Sequence, residues 1–222
     1  MLIFTFNQQK KMKKIYSILL LLISTISYSQ INDTFYVDDV ASIKYLTVNY
    51  SVTEKGRVKD IKLVPNMTTY ENKNALKTIT KYLKKFEYSK ESELINDDTD
   101  FTFIFINKKF KNTVLTKSDY SECAKFKTGK FKYSNVRIYK AEVKRNKRIQ
   151  REKSDMIDAK FRITWINPCE YELTFLKVKQ KENKYLIGKT MKTEIIGLLS
   201  SSYIYKTDFL GITVIGELEK IK

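Results

Sequence analysis

The sequence predicts an α+β protein: a small two-layer ββαβ module followed by a mostly antiparallel β meander or small barrel. Three observations carry this reading. Apolar residues alternate at the strand period in two early runs, a single helical stripe follows them, and residues 123–222 form a succession of short alternating runs separated by turn residues. Glycine and proline are scarce, at 6 and 2 in 222 residues, and no Pro-rich or Gly/Ser-rich linker divides the chain.

The first element is an address. Met12-Lys13-Lys14 is a short basic head, Ile18–Ile26 is an apolar run, and Ser27 and Ser29 are the small residues that precede a cut between Ser29 and Gln30. This is the pattern of a secretory signal peptide. A spanning helix needs about 20 predominantly apolar residues, and the stretch from Ile15 to Ile26 is shorter and interrupted by Ser, Thr and Tyr. No Cys stands at the cleavage point to carry a lipid anchor. Met12 is the better start, with Met1–Lys11 as an extension ahead of it. The expected organisation is residues 1–29 as extension and signal peptide, 30–110 as the ββαβ module, 111–122 as a linker and 123–222 as the β domain. The expected location is the periplasm or the exterior, with no retained transmembrane segment.

Within the module, Leu46, Val48, Tyr50 and Val52 alternate with polar residues, which predicts a strand. Glu54-Lys55-Gly56-Arg57 supplies a turn, with Gly56 free to take a positive φ. Val58, Ile61 and Leu63 follow with a phase slip of one residue, so the second strand is expected to carry a bulge before Pro65 ends it. Ala75, Leu76, Ile79, Tyr82, Leu83 and Phe86 then fall on one face of a helix. Thr68 and Glu71 have capping-box spacing, and Lys84 and Lys85 suit the negative end of the helix dipole. The acidic loop Asn96–Asp100 leads into Phe101–Ile106, whose apolar character on both faces predicts a buried strand.

Tyr50-Ser51-Val52, the Gly56–Ile61 turn and strand, and the Ala75–Phe86 helix together resemble the C-terminal domain of TonB-type periplasmic proteins, over residues 43–106. The resemblance implies a two-layer module that pairs with peptide strands through a sheet edge. It also implies, as an alternative role, a component associated with TonB-type outer-membrane transport. The chain lacks the family's retained anchor, its extended Pro-rich segment and the Tyr-Pro pair ahead of the first strand.

In the second half, Phe131 and Tyr133 open the β pattern and Val136–Val143 continues it, with a turn expected at Arg145-Asn146-Lys147. Phe161, Ile163 and Trp165 alternate, as do Tyr171, Leu173 and Phe175, on either side of an Asn167-Pro168 turn. Met191–Leu199, Tyr203–Thr207 and Ile212–Leu218 complete the series. Thr128–Phe131, Trp165-Ile166 and Cys169–Leu173 resemble a family of small exported bacterial β proteins, which brings no activity with it.

The chain contains no histidine. That removes the usual acid/base group near neutral pH, Ser-His and Cys-His catalysis, and ordinary zinc sites. Cys123 and Cys169, an even pair in an exported chain, predict a disulfide. Asp38-Asp39 and Asp97, Asp98 and Asp100 are the candidate paired carboxylates; they read as turn residues and lack calcium-loop spacing. Glu170 and Glu172 read as outward partners for Lys, and Trp165 as core rather than the wall of a ligand pocket.

The net charge of +17 would attract anionic surfaces. The basic stretch Lys140, Lys144, Arg145, Lys147, Arg148, Arg151 and Lys153 lacks interleaved stacking aromatics, so it reads as a solvated hairpin and not as a nucleic-acid surface. The expected function is a non-catalytic binding or scaffold protein of the cell envelope, with an envelope protein or peptide as partner and with no catalytic residue, cofactor or metal. A deep pocket with converging carboxylates would point instead to a hydrolase.

Overall fold

The structure is a computed structural model that describes residues 33–134, 141–154 and 158–222. The signal peptide with its Ser29–Gln30 cut, Lys140, and the first part of the expected Val136–Val143 strand lie outside the described residues.

The N-terminal unit is a mixed sheet of β1 (Thr34–Val37), β2 (Lys44–Val52), β3 (Val58–Leu63) and β4 (Asp98–Asn107), with α1 (Ala75–Leu83) between β3 and β4. The spatial order is β1-β4-β2-β3, with β1 parallel to β4 and the other pairs antiparallel. β1 adds a strand to the expected ββαβ order; its four residues are too few to show an alternation in the sequence. The expected bulge is present in β3. Asn49 faces Lys62 and Ser51 faces Lys59, so three steps on β3 oppose two on β2, and Asp60 takes up the excess at a φ of 54°.

The helix start departs from expectation. Thr68 receives a hydrogen bond from the Thr47 amide at 3.1 Å and donates one to the Val64 carbonyl at 2.9 Å, so its hydroxyl pins the chain beside β2. The helix begins at Ala75, well beyond both members of that box, and its N-cap Asn74 makes no side-chain cap. Its last helical residue is Leu83, with Lys84 as C-cap.

Both faces of this sheet are covered, which explains the continuous apolar run in β4. Leu46, Val48, Tyr50, Val52, Phe103 and Phe105 pack with Ala75, Ile79 and Leu83 of α1. On the opposite face Ile43, Tyr45, Ile104 and Ile106 pack with Phe110 against Ile196 and Ile204 of the C-terminal unit. That contact is close: a Cβ on Gly197 would stand 2.5 Å from the Phe110 ring. Glu217 closes the seam by accepting hydrogen bonds from the Ser202 hydroxyl at 2.6 Å and the Ile43 amide at 3.1 Å.

The C-terminal unit is a closed antiparallel barrel of eight strands: β5 (Gly129–Tyr133), β6 (Glu142–Arg145), β7 (Ile149–Lys153), β8 (Asp158–Asn167), β9 (Glu170–Val178), β10 (Thr190–Leu198), β11 (Ser202–Phe209) and β12 (Ile212–Lys220). Each strand pairs with the next, and β12 pairs with β5 through Leu218 opposite Tyr133, which leaves no open edge. β7 lies within the stretch expected from the sequence as a solvated hairpin. A short helix, α2 (Tyr120–Ala124), brings Cys123 into the barrel core together with Phe126. Cys123 is bonded to Cys169 at the β8–β9 turn, with the two Cα atoms 5.1 Å apart. The inner end of the barrel is thus capped by a covalently tethered plug. No helix among the described residues is long and apolar enough to cross a membrane.

Candidate functional site

The inward phase of each barrel strand builds the site. On β6, Val143 and Arg145 are buried while Lys144 is exposed; on β7, Gln150 and Glu152 are buried while Arg151 and Lys153 are exposed. A basic hairpin therefore sends one arginine, one amide and one carboxylate into the barrel.

Arg145 forms the base of the network. Its Nε donates to Gln150 Oε1 at 2.6 Å, Nη1 to the Phe126 carbonyl at 3.1 Å, and Nη2 to the hydroxyls of Tyr203 at 2.8 Å and Tyr171 at 3.2 Å. Its guanidinium also lies 4.8 Å from the Tyr171 ring centroid and 5.0 Å from that of Phe131. Among the described residues no carboxylate pairs with it directly. Gln150 relays between the charges by donating through Nε2 to Glu152 Oε1 at 2.5 Å, and the Tyr133 hydroxyl bonds the same carboxyl group.

Burial sets the proton positions. Tyr133, Tyr203 and Tyr205 are held far above the usual phenol range, chiefly by desolvation, so all three are neutral hydroxyls at physiological pH. Desolvation also raises the pKa of Glu152; hydrogen bonds from Tyr133 and Gln150 and the charge of Arg145 offset only part of it. With the folded pKa above the unfolded one, the unfolded chain gives up this proton first as pH rises. Stability is then retained below the unfolded carboxylate range and lost progressively as pH climbs through the folded pKa. Glu152→Gln should accordingly melt at a higher temperature than the parent chain at pH 7, with the gap closing toward pH 4. A gap that is constant with pH in calorimetric scans would show that Glu152 is not the group responsible.

Above this polar floor lies a cavity of about 330 Å³. Its walls are mostly apolar, with Phe161, Leu173, Phe175, Met191 and Phe209 prominent, and Glu152, Gln150, Tyr133 and Tyr205 are among its polar groups, beside Thr193 and Thr207. Space for the Tyr205 phenol depends on Gly216 directly across the ladder, where a Cβ would stand 2.4 Å from the hydroxyl. The 3₁₀ segment Lys181–Leu186, which joins β9 to β10, contributes Asn183 and Leu186 to the mouth. Val214 on β12 lines the cavity and is 48% exposed, which marks the opposite rim.

The residues singled out from the sequence fall elsewhere. Asp38 pairs with Lys108 at 2.6 Å. Asp39 is held by Asn72 and Tyr70, whose hydrogen bonds lower its pKa in that order. Asp97 accepts from the Asp98 amide, and Asp100 accepts from Asn49 at 3.0 Å. None of these acids lines the barrel cavity. Glu170 pairs with Lys192 at 2.6 Å, and Glu172 faces the same lysine across the β9–β10 ladder. Trp165 packs 4.7 Å from Tyr171 in the barrel core and is not part of the cavity wall. The reading of Lys140–Lys153 as a wholly solvated hairpin is corrected at Arg145, which is 5% exposed. The signal was present: Arg145 lies in phase with Val143, and Gln150 and Glu152 alternate against Arg151 and Lys153.

Comparison with protein-family models, curated proteins and solved structures finds no match to this chain.

Proposed function

We propose that this protein is an exported, non-catalytic binding protein of the cell envelope whose barrel holds one small amphipathic molecule. The observation that carries the reading is the apolar cavity with a polar floor at its buried end. Ligand sites of this kind are concave and mostly apolar, with a few fixed polar groups that set orientation. Among the described residues Glu152 is the single carboxylate that lines the cavity, whereas hydrolysis by carboxylates needs a second acid placed across the substrate. The disulfide suits an oxidising compartment, in keeping with the leader in the sequence.

Edge pairing of a peptide by the N-terminal module, with or without a role in TonB-type transport, is the second reading. What favours it is β1, a short outer strand with one hydrogen-bonded neighbour. The other outer strand, β3, is bulged at Asp60 and carries exposed Lys59 and Lys62, features that discourage added strands. The cavity is therefore the stronger candidate.

The test is a titration with the uncharged fluorescent probe N-phenyl-1-naphthylamine. One saturable site per chain is expected, and Val214→Trp at the rim should weaken it at least about tenfold while leaving the far-ultraviolet circular dichroism unchanged. Absence of saturable binding, or binding indifferent to Val214→Trp, would count against the cavity.

A further inference from the structure

We propose that the occupant of the barrel carries a protonated amine at the end that reaches the polar floor, and that Glu152 is its counter-ion. This rests on the cavity reading above and specifies its ligand.

The argument begins with what the two buried charges can still do. Four hydrogen bonds from the Arg145 guanidinium go to Gln150, Phe126, Tyr171 and Tyr203, and Arg145 does not line the cavity. It is committed to the architecture of the floor and is not presented to a ligand carboxylate. Glu152 does line the cavity. An ionised carboxylate has about four lone-pair positions. Among the described residues Gln150 and Tyr133 donate to it, which leaves acceptor capacity on a group already penalised by burial. An entering ammonium would donate into that remaining capacity. An entering carboxylate would meet like charge in a poorly solvated space.

The walls point the same way. Tyr205, Tyr171, Phe161 and Phe175 line the cavity, and aromatic faces attract cations through the ring quadrupole. An acid set among aromatic rings is a general solution for amine recognition. The apolar remainder, Leu173, Met191, Leu186 and Phe209, would cover a hydrocarbon or aryl body. A cavity of about 330 Å³ is at the small end of ligand sites, so the molecule is a short alkyl or arylalkyl amine and not a two-chain lipid.

The chemistry also makes the preference sensitive to pH. Among the described residues, the groups facing Glu152 are Tyr133 from β5, Arg145 from β6, Gln150 from β7 and Tyr205 from the far strand β11. Tyr133 and Tyr205 are neutral and Arg145 stays charged throughout the acid range, so Glu152 is the group in this set that titrates there. Protonating it removes the counter-ion and leaves the apolar walls intact.

The experiment is calorimetric titration of the full chain with octylamine, octanol and octanoate at pH 7. The three share a chain length and differ in the charge of the head. Octylamine should bind at least about tenfold more tightly than octanol, with octanoate weakest, and Glu152→Gln should bring octylamine and octanol to near parity. In the parent chain the same preference should fall as pH drops through the pKa of Glu152, a readout that stands even if the variant folds poorly. If octanol or octanoate binds as well as octylamine, at a site blocked by Val214→Trp, the amine inference is overturned and the cavity reading survives. If none of the three binds, both are overturned.

Discussion

Arg145→Ala should cost about 3–5 kcal/mol of folding stability, among the largest effects of any single substitution in this chain. The loss comes from what the arginine leaves behind. Gln150 Oε1, the Phe126 carbonyl and the hydroxyls of Tyr171 and Tyr203 all lose a charged donor in the barrel interior, and each buried polar atom left unpaired is penalised. Glu152 would also lose the positive charge that partly offsets its own desolvation. Arg145→Lys should recover little, because an ammonium cannot reproduce a planar fork that bonds four acceptors at once. The control is Arg151→Ala on the same hairpin, where the side chain is exposed and the expected change is within about 0.5 kcal/mol. Urea denaturation of the three variants checks this. If Arg145→Ala and Arg151→Ala lose similar small amounts, the hairpin is solvated on both faces and the buried network is wrong.

That contrast also shows which parts of the molecule could be read from the chain. Local periodicity was legible. The phase slip across Val58, Ile61 and Leu63 announced the bulge that Asp60 occupies, and the doubly apolar run at Phe101–Ile106 announced a strand covered on both faces. The position of Arg145 was legible in principle, because the turn at 146–148 fixes the phase of both flanking strands and places it with Val143. Its charge masked the alternation. A run of seven basic residues looks like surface until each one is assigned to a face.

Barrel closure is a different case. It depends on backbone pairing between Leu218 and Tyr133, residues far apart in sequence that carry no mutual signal. The cavity is harder still. It exists because Gly216 leaves room for the Tyr205 phenol and because the segment after β9 stops at the mouth without filling it, and neither follows from local pattern. The Thr68–Glu71 spacing misled for a related reason: a tertiary partner, the Thr47 amide, took the Thr68 hydroxyl before the helix could.

Replacing both cysteines by alanine should cost about 4 kcal/mol in the chain-entropy account, given the sequence separation of 46 between Cys123 and Cys169. The structure adds a second consequence that a count of loop residues does not contain. Cys123 fixes the plug, and the plug carries Phe126, whose carbonyl accepts from Arg145 Nη1 and whose ring lies 5.0 Å from that of Tyr203. On the other side, the Cys169 carbonyl accepts the Ile195 amide at 2.8 Å, which ties the tether to β10. Freed from its bridge, the plug would present the Phe126 carbonyl to Arg145 less reliably, so the two perturbations share a partner. Their effects should therefore fall short of additivity: the variant combining Arg145→Ala with both Cys→Ala changes should lose about 0.5–3 kcal/mol less than the sum of the separate losses. A denaturation cycle over the four chains measures this directly, and the probe titration run alongside should show weaker binding once the bridge is gone. Strict additivity, with cavity binding unchanged, would mean that the plug closes the barrel without supporting its polar floor.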